Sequence, residues 1–580
     1  MKKFAVLALG TILSAAMAVP AFAASQIDFS GYYRTMYISA SNMGRQSGDA
    51  AFTDSYFAHR LNLEFTFRPT DEIYVNWRVR APHFDRWGQR APYEAGSFYT
   101  YHLYGVIEKD WGRLLVGINQ EEHDTYGLGS LGWVPITTQP YFTKVGVFED
   151  GGNNPMIRYT KRWDNGFQIL AQFSNLGTAY NQADTLAAGS PDWSGSDIDR
   201  RTYQLEPAFF WDGGGVALNI GHERNAITPA YTPALGFAAL PAGAQAGPMT
   251  EWYLNPALSH SWGNFSVHFE GKAAWQKRDL ANMPAGQPGS VDSSGLGAYL
   301  DLNYRYKTNR VNLAGWWVQG TDLDKDAADL SEESKSGVDM GDSFYPLLIA
   351  HSHHFVHTNS RYGVPAAMAP QSRFGPNSVD LRTGSSVSWG SIGFANNAYR
   401  NLIASGHNAL APLSIAGADN GAFAGFRADR ILNANEATRS MNASTSANHW
   451  AISINGTHAF SRSVGLSYNF AYLGLNNPNY RVVDRAVSAA GTTGWTYQYA
   501  EQSKDLGFEA DLGLRINLLD NLTFITAFGY MFNGDAYKEL NGYRMTTTDA
   551  NALNSDTTVT ADWGKPKDTY QWINTLNFAF

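Results

Sequence analysis

The sequence predicts an all-β fold, a transmembrane antiparallel up-and-down β-barrel of about 18 strands. Three observations predict it. Segments of alternating polarity recur along the chain with full charges opposite an unbroken apolar face. The connections between them alternate strictly between short and long. The composition is aromatic-rich (Trp 17, Tyr 31, Phe 32) and charge-poor (16%), with a mean hydropathy of −0.31, as expected where each strand shows one face to lipid and one to water.

The alternation is clearest in four segments. Leu61, Leu63, Phe65 and Phe67 oppose Arg60, Asn62, Glu64, Thr66 and Arg68. The next run sets Ile73, Val75, Trp77 and Val79 against Tyr74, Asn76, Arg78 and Arg80. Further on, Phe265, Val267, Phe269 and Trp275 oppose Ser266, His268, Glu270, Lys272 and Gln276. Near the end, Leu506, Phe508, Ala510, Leu512, Leu514 and Ile516 oppose Glu509, Asp511, Arg515 and Asn517. A period of two with this contrast is a strand with one apolar face.

Tight turns rich in Gly, Asp and Asn fall at 69–72, 109–112, 163–166, 212–215, 262–264, 307–309, 461–463 and 519–521. Every intervening connection is longer, beginning near residues 40, 82, 120, 175, 225, 277, 320, 474 and 531. Soluble sandwiches and propellers have no reason to alternate connection length. Short periplasmic turns and long external loops give an even strand count with both ends on the periplasmic side. Strand boundaries read this way also admit 16 strands. Residues 321–446 exceed what an unstructured connection should span, so they are expected to form a large external element over the pore mouth.

The two ends point to export. Lys2 and Lys3 precede an apolar run, and Ala21 and Ala23 flank Phe22 as a signal-peptidase site, which makes residues 1–23 a signal peptide and 24–580 the barrel. No later run is long and apolar enough for a membrane helix. With no Cys there are no disulfides. The net charge of −9, which becomes more negative when Lys2 and Lys3 leave, argues against nucleic acid as a partner.

At the other end Tyr570, Trp572, Leu576, Phe578 and Phe580 share one face. This ending resembles the closing strand of bacterial outer-membrane barrels, whose terminal aromatic is read by the barrel assembly machinery. The resemblance implies that Phe580 is an assembly signal and that the location is the bacterial outer membrane, among its lipids and lipopolysaccharide. The run 155–174 resembles the sixth and seventh strands of the bacterial general porins, an Arg-Tyr strand followed by a Gly-Phe strand. Residues 111–120 look like the porin strand that leads into an inward-folded third loop. That family implies a homotrimeric, water-filled channel for passive diffusion of small hydrophilic solutes or ions. It also makes 120–154 a pore-constricting loop. Eighteen strands and the long seventh loop bring the layout nearer to substrate-specific porins, which makes a channel for saccharides or organic acids the alternative.

Within such a lumen, Arg34, Arg60, Arg78, Arg80 and Arg158 fall on the polar phase of the early strands. The third loop carries Glu121, Glu122 and Asp124 near its start and Glu149 and Asp150 near its end. Guanidiniums facing carboxylates set a transverse field that selects solutes by charge. The bland alternative is that these charges merely solvate the lumen. Trp77, Tyr99, Tyr101, Trp252, Trp275, Trp317, Trp450 and Trp572 read mainly as lipid-facing girdle residues, whereas Tyr74, Tyr104 and Trp316 lie on the lumen phase. His351, His353, His354 and His357 cluster in the seventh loop without a Cys or Glu to complete a metal site. No G-x-S-x-G nucleophile motif is present and the first strand follows the signal with no plug domain, so neither an outer-membrane enzyme nor an energised transporter is expected. No cofactor or metal is expected, and an adhesive barrel is the remaining class.

Overall fold

The computed structural model describes residues 26–41, 53–86, 99–120, 153–175, 200–225, 245–281, 290–319, 449–476, 480–487, 495–501, 503–535, 542–546, 558–562 and 568–580. The expected signal peptide, the third loop with its five acids, the seventh loop and its histidines lie outside the described residues.

Eighteen strands form one closed antiparallel sheet. The first six are β1 (Gln26–Ser41), β2 (Thr53–Thr70), β3 (Ile73–Arg86), β4 (Tyr99–Lys109), β5 (Gly112–Gln120) and β6 (Asn153–Arg162). They continue as β7 (Phe167–Asn175), β8 (Arg200–Trp211), β9 (Gly214–Asn225), β10 (Gln245–Trp262), β11 (Phe265–Ala281), β12 (Ser290–Tyr306) and β13 (Asn309–Val318). Then come β14 (His449–Ala459) and β15 (Val464–Leu475). After β16 (Tyr480–Val487) and β17 (Trp495–Glu501), the barrel resumes with β18 (Asp505–Leu519) and β19 (Leu522–Asn533). It closes, after β20 (Gly542–Thr546) and β21 (Thr558–Asp562), with β22 (Thr569–Ala579). Each barrel strand pairs with its chain neighbours in the barrel, and β22 pairs with both β19 and β1. A count of 16 is therefore excluded. Eighteen strands about 4.8 Å apart, tilted by roughly 40°, enclose a cylinder on the order of 35 Å across between backbones.

All eight tight turns lie where the sequence places them, because each is built from residues that accept the required backbone geometry. Gly166 and Gly213 sit at φ +87° and +81°, in the left-handed region, where a Cβ would meet the carbonyl oxygen of Phe210 at 2.1 Å and that of Ser261 at 2.7 Å. Closure depends on a close approach of the same kind. Gly31 N donates to the Phe580 carbonyl at 2.8 Å and Phe580 N returns a bond to Gly31 at 3.0 Å. A Cβ on Gly31 would lie 2.9 Å from the Phe580 ring, so the seam is closed by the absence of a side chain.

Four strands stand apart from the barrel. β17, β16, β20 and β21 form a second sheet in which β16 and β20 run parallel. They arise from the connections after β15 and β19, so backbone pairing ties the last two long connections to each other. The sequence reading treats both as plain loops. Their short strands, five to eight residues long, lack the sustained alternation that identifies a membrane strand.

Candidate functional site: the charged lumen wall

The two faces of the barrel have opposite chemistry. Outward residues such as Leu300, Leu302, Leu313, Ile452 and Ile454 are about half exposed and form an aliphatic band. On the same strands Tyr304 and Tyr306 flank that band toward the short turns and Trp317 toward the long connections. Trp77, Trp252, Trp275 and Trp572 are exposed on this surface, as a girdle requires. Inward residues are polar and buried, among them Arg34, Arg60, Asn219, Glu270, Asp301, Asn455 and Asp511. A contiguous apolar surface of this size around a polar interior inverts the soluble pattern. No described helix is long and apolar enough to cross a membrane.

One wall of the interior is basic. Period-two alternation puts Arg34 of β1, Arg60 of β2, Arg78 and Arg80 of β3, Arg113 of β5 and Arg158 of β6 on the inward face. Arg34 Nε donates to Asn577 Oδ1 at 3.2 Å, across the closing seam. Arg80 Nε donates to Asn62 Oδ1 at 2.9 Å, and Asn62 in turn donates to the Tyr32 hydroxyl at 2.7 Å. Arg158 Nε donates to Gln172 Oε1 at 2.6 Å. Arg78 is held differently: Nε and Nη2 both reach Glu64 Oε2, at 3.0 and 2.7 Å, while Asn76 occupies the other oxygen at 2.8 Å. All five arginines read from the sequence therefore face inward. Arg113 was missed, although Leu114, Val116 and Ile118 on the opposite phase already assign it to the lumen.

The other wall is predominantly acidic, although Lys272 of β11 and Arg310 of β13 share its inward phase. Glu206 of β8, Glu223 of β9, Glu251 of β10, Glu270 of β11, Asp301 of β12 and both Glu509 and Asp511 of β18 are buried on the inward face. Glu223 and Glu251 are directly opposed across β9 and β10. His268 Nε2 lies 2.6 Å from Glu270 Oε1, and the Tyr299 hydroxyl donates to Asp301 Oδ2 at 2.9 Å. His268 faces Asp301 in the β11–β12 register while Glu270 faces Tyr299, so these four side chains make one polar tile. Asn469 Nδ2 donates to Asp511 Oδ2 at 3.3 Å. From the sequence, the acids expected to shape the field are those of the third loop, while Glu270, Glu509 and Asp511 show only the polar phase of their strands. The phase that identified the arginines would have found Glu206, Glu223, Glu251 and Asp301 as well.

Two outward assignments change, one aromatic and one aliphatic. Tyr101, read as lipid-facing, has the Arg80 guanidinium 3.3 Å from its ring centroid and stacks on His102 at 4.5 Å. A register shift between Arg78 and Val79 inserts the extra residue that moves Tyr101 off the outer phase. Leu506, read as part of an apolar outer face, is buried where the β15–β18 register shifts beside Gly474. Tyr74, Tyr104 and Trp316 do lie on the inward phase; Arg113 Nη2 donates to the Tyr74 hydroxyl at 2.7 Å, and Trp316 is buried. The side chain of Tyr99 lies outside the described residues, and Trp450 packs beside Tyr472 over Gly474. Among the described residues, no cluster of His, Asp or Glu is arranged to hold a metal ion.

The fold and its inverted polarity define the class: a membrane-spanning β-barrel with a hydrophilic, charge-divided interior. Within solved structures the chain is similar to OccK11 (OpdR) of Pseudomonas aeruginosa, at 8% identity, covering 96% of each chain with a TM-score of 0.42. It is similar to OpdK of the same organism, solved with vanillate, at 9% identity over 96% of this chain and 98% of that one, TM-score 0.39. An anion-selective porin from Comamonas acidovorans matches at 9% identity over 96% and 100% of the two chains, TM-score 0.36. No protein-family model and no curated relative matches the sequence.

Proposed function

We propose that the protein is a bacterial outer-membrane porin, a channel for passive diffusion of small hydrophilic solutes. The observation that carries this reading is the division of the lumen into an arginine wall on β1–β6 and a carboxylate wall on β8–β18. Fixed charges of opposite sign across an aqueous path orient dipolar solutes and split anions from cations, and they leave binding weak enough for release. Arg34, Arg60, Arg78, Arg80 and Arg158 are the basic lining in this proposal. Glu121, Glu122, Asp124, Glu149 and Asp150 would add carboxylates from a constricting 120–154 segment, with 321–446 covering the mouth. Phe580 serves assembly, the surrounding lipid includes lipopolysaccharide, and the oligomer is a homotrimer.

An enzymatic barrel is the second reading, since Ser259 stands directly opposite His268. His268 turns Nε2 to Glu270, however, and its Nδ1 has no hydrogen-bond partner among the described residues. That arrangement favours a channel over a Ser-His relay. The test is planar-bilayer recording with the purified protein in KCl and no energy source. Stepwise ohmic conductance is the expected result, and silent bilayers with correctly folded protein contradict the proposal.

A further inference from the structure

The predominantly acidic side of the barrel contains a row without charge. Asn303 of β12 stands directly opposite Asn312 of β13, Asn312 opposite Asn455 of β14, and Asn455 opposite Asn469 of β15. The four amides share the inward face, and each is at most 1% exposed. We infer that this row is a binding track for an uncharged, polyhydroxylated solute, the class of short saccharides. The inference rests on the channel reading and adds a solute class to it.

Open hydrogen-bonding valences lead to that class. Neither side-chain atom of Asn303 or of Asn312 has a hydrogen-bond partner among the described residues, and neither does Asn455 Oδ1. Buried amides are rarely left in this state, because an unmade hydrogen bond costs more than a made one contributes. The row therefore presents two amide NH2 groups and three carbonyl oxygens together. A hydroxyl both donates and accepts, so a chain of hydroxyls satisfies the two kinds of group at once. A carboxylate or phosphate, which only accepts, leaves the three oxygens unmet, and an ammonium, which only donates, leaves the NH2 groups unmet.

One end of the row is held in place. Asn469 Nδ2 donates to Asp511 Oδ2 at 3.3 Å, Ser453 Oγ donates to Asn469 Oδ1 at 2.7 Å, and Asn455 Nδ2 donates to Ser453 Oγ at 3.1 Å. This chain engages Asn455 through its nitrogen and fixes the direction in which its oxygen points. An acceptor oriented in advance loses less entropy when a solute binds.

The surroundings favour a neutral solute over an anion. Asp301 lies two residues from Asn303 toward the long connections, while Arg305 and Arg310, opposed in register, lie two residues away toward the short turn. Charges of opposite sign on the two sides of the row orient a dipole and select no net charge. Tyr299 and Trp316, also directly opposed and both buried, stand on the same face beyond Asp301 and offer ring surface to the C–H face of a sugar. Three strand spacings of about 4.8 Å make the row about 14 Å long, and strand tilt makes it climb the wall.

The experiment is calorimetric titration with maltotriose of the protein folded in a detergent that lacks a sugar headgroup. Polyethylene glycol of matched length is the acceptor-only control and potassium gluconate the charged one. One saturable maltotriose site per chain is expected, with weaker binding of both controls. The side chains of Asn303 and Asn312 make no hydrogen bond among the described residues, so Asn303→Leu/Asn312→Leu should fold with an unfolding temperature no lower than the parent's. It should bind maltotriose at least tenfold more weakly, an outcome that a merely structural role for the amides does not produce. If the double variant does not fold, Asn312→Ser carries the test with a several-fold loss. Absence of saturable maltotriose binding, equal binding of the glycol, tighter binding of gluconate, or unchanged affinity in the folded variant would overturn the inference. Bilayer conductance of the parent is scored separately. A conducting protein that does not bind maltotriose refutes this inference alone, and a silent protein that binds it counts against the channel reading alone.

Discussion

The arginine wall and the carboxylate wall are built on the same backbone, yet they solve the problem of a buried charge from opposite sides. On β1–β6 the cations are anchored largely by amide oxygens: Asn577 for Arg34, Asn62 for Arg80 and Gln172 for Arg158. On the acidic wall a tyrosine hydroxyl holds Asp301 and an asparagine amide holds Asp511. A neutral partner fixes the side chain and offsets part of its desolvation without cancelling its charge. Where a carboxylate does meet a guanidinium, as at Glu64 and Arg78 and at Asp28 and Arg68, the pair contributes to rigidity and little to the field. The comparison teaches that neutral ligands help hold Arg34, Arg80, Arg158, Asp301 and Asp511 in place, and the variants below break or sharpen it.

The largest effect should come from packing on the acidic side. Gly221 lies under Tyr253, so close that a Cβ would sit 1.8 Å from the ring, and the Tyr253 hydroxyl accepts from Gln204 at 2.6 Å. Gly221→Val must displace that ring and should cost about 3 kcal/mol, read as a lower temperature for the heat-induced change in gel mobility. Gly105, where a Cβ meets nothing within 4 Å, is the control, and Gly105→Ala should leave that temperature nearly unchanged.

Asn62 separates anchoring from charge on the basic side. Asn62→Leu removes the acceptor of Arg80 and should destabilise by roughly 1–3 kcal/mol. Asn62→Asp keeps an acceptor and adds a negative charge, so the barrel should fold while its anion preference falls. Equal anion preference in Asn62→Asp and the parent, measured by reversal potential at low salt where screening is weakest, would show that the neutrality of this ligand has no electrostatic role.

The smallest effect concerns Glu223 and Glu251, like charges directly opposed across two strands. Replacing Glu223 with Gln should relieve repulsion of about 0.2–1 kcal/mol and raise the unfolding midpoint slightly, with a modest loss of cation preference. A lower midpoint would mean that both carboxylates are needed for packing.

Much of this was legible in the sequence because a barrel writes its topology in a period of two. Arg60 and Arg78 could be assigned to the lumen from Leu61, Phe65 and Trp77 alone, and the turns at 163–166 and 212–215 announce themselves by composition. What was not legible follows from departures from that period. The bulge at Arg78 and Val79 moves Tyr101 inward, and no local residue pattern signals it. The acidic wall was readable strand by strand, but its segregation opposite the arginines requires knowing that β22 closes onto β1 and that eighteen strands complete the circle. The second sheet couples connections more than fifty residues apart, which a window of a dozen residues cannot register.

The account is tested most directly by reversal potentials across a planar bilayer under one KCl gradient, for the parent and two double variants. Arg34→Gln/Arg60→Gln should shift the potential toward cation preference, because the carboxylate wall then dominates the field, and Glu206→Gln/Asp301→Asn should shift it toward anion preference by a comparable amount. Shifts of the same sign, or no shift in either folded variant, would contradict a lumen divided into walls of opposite charge.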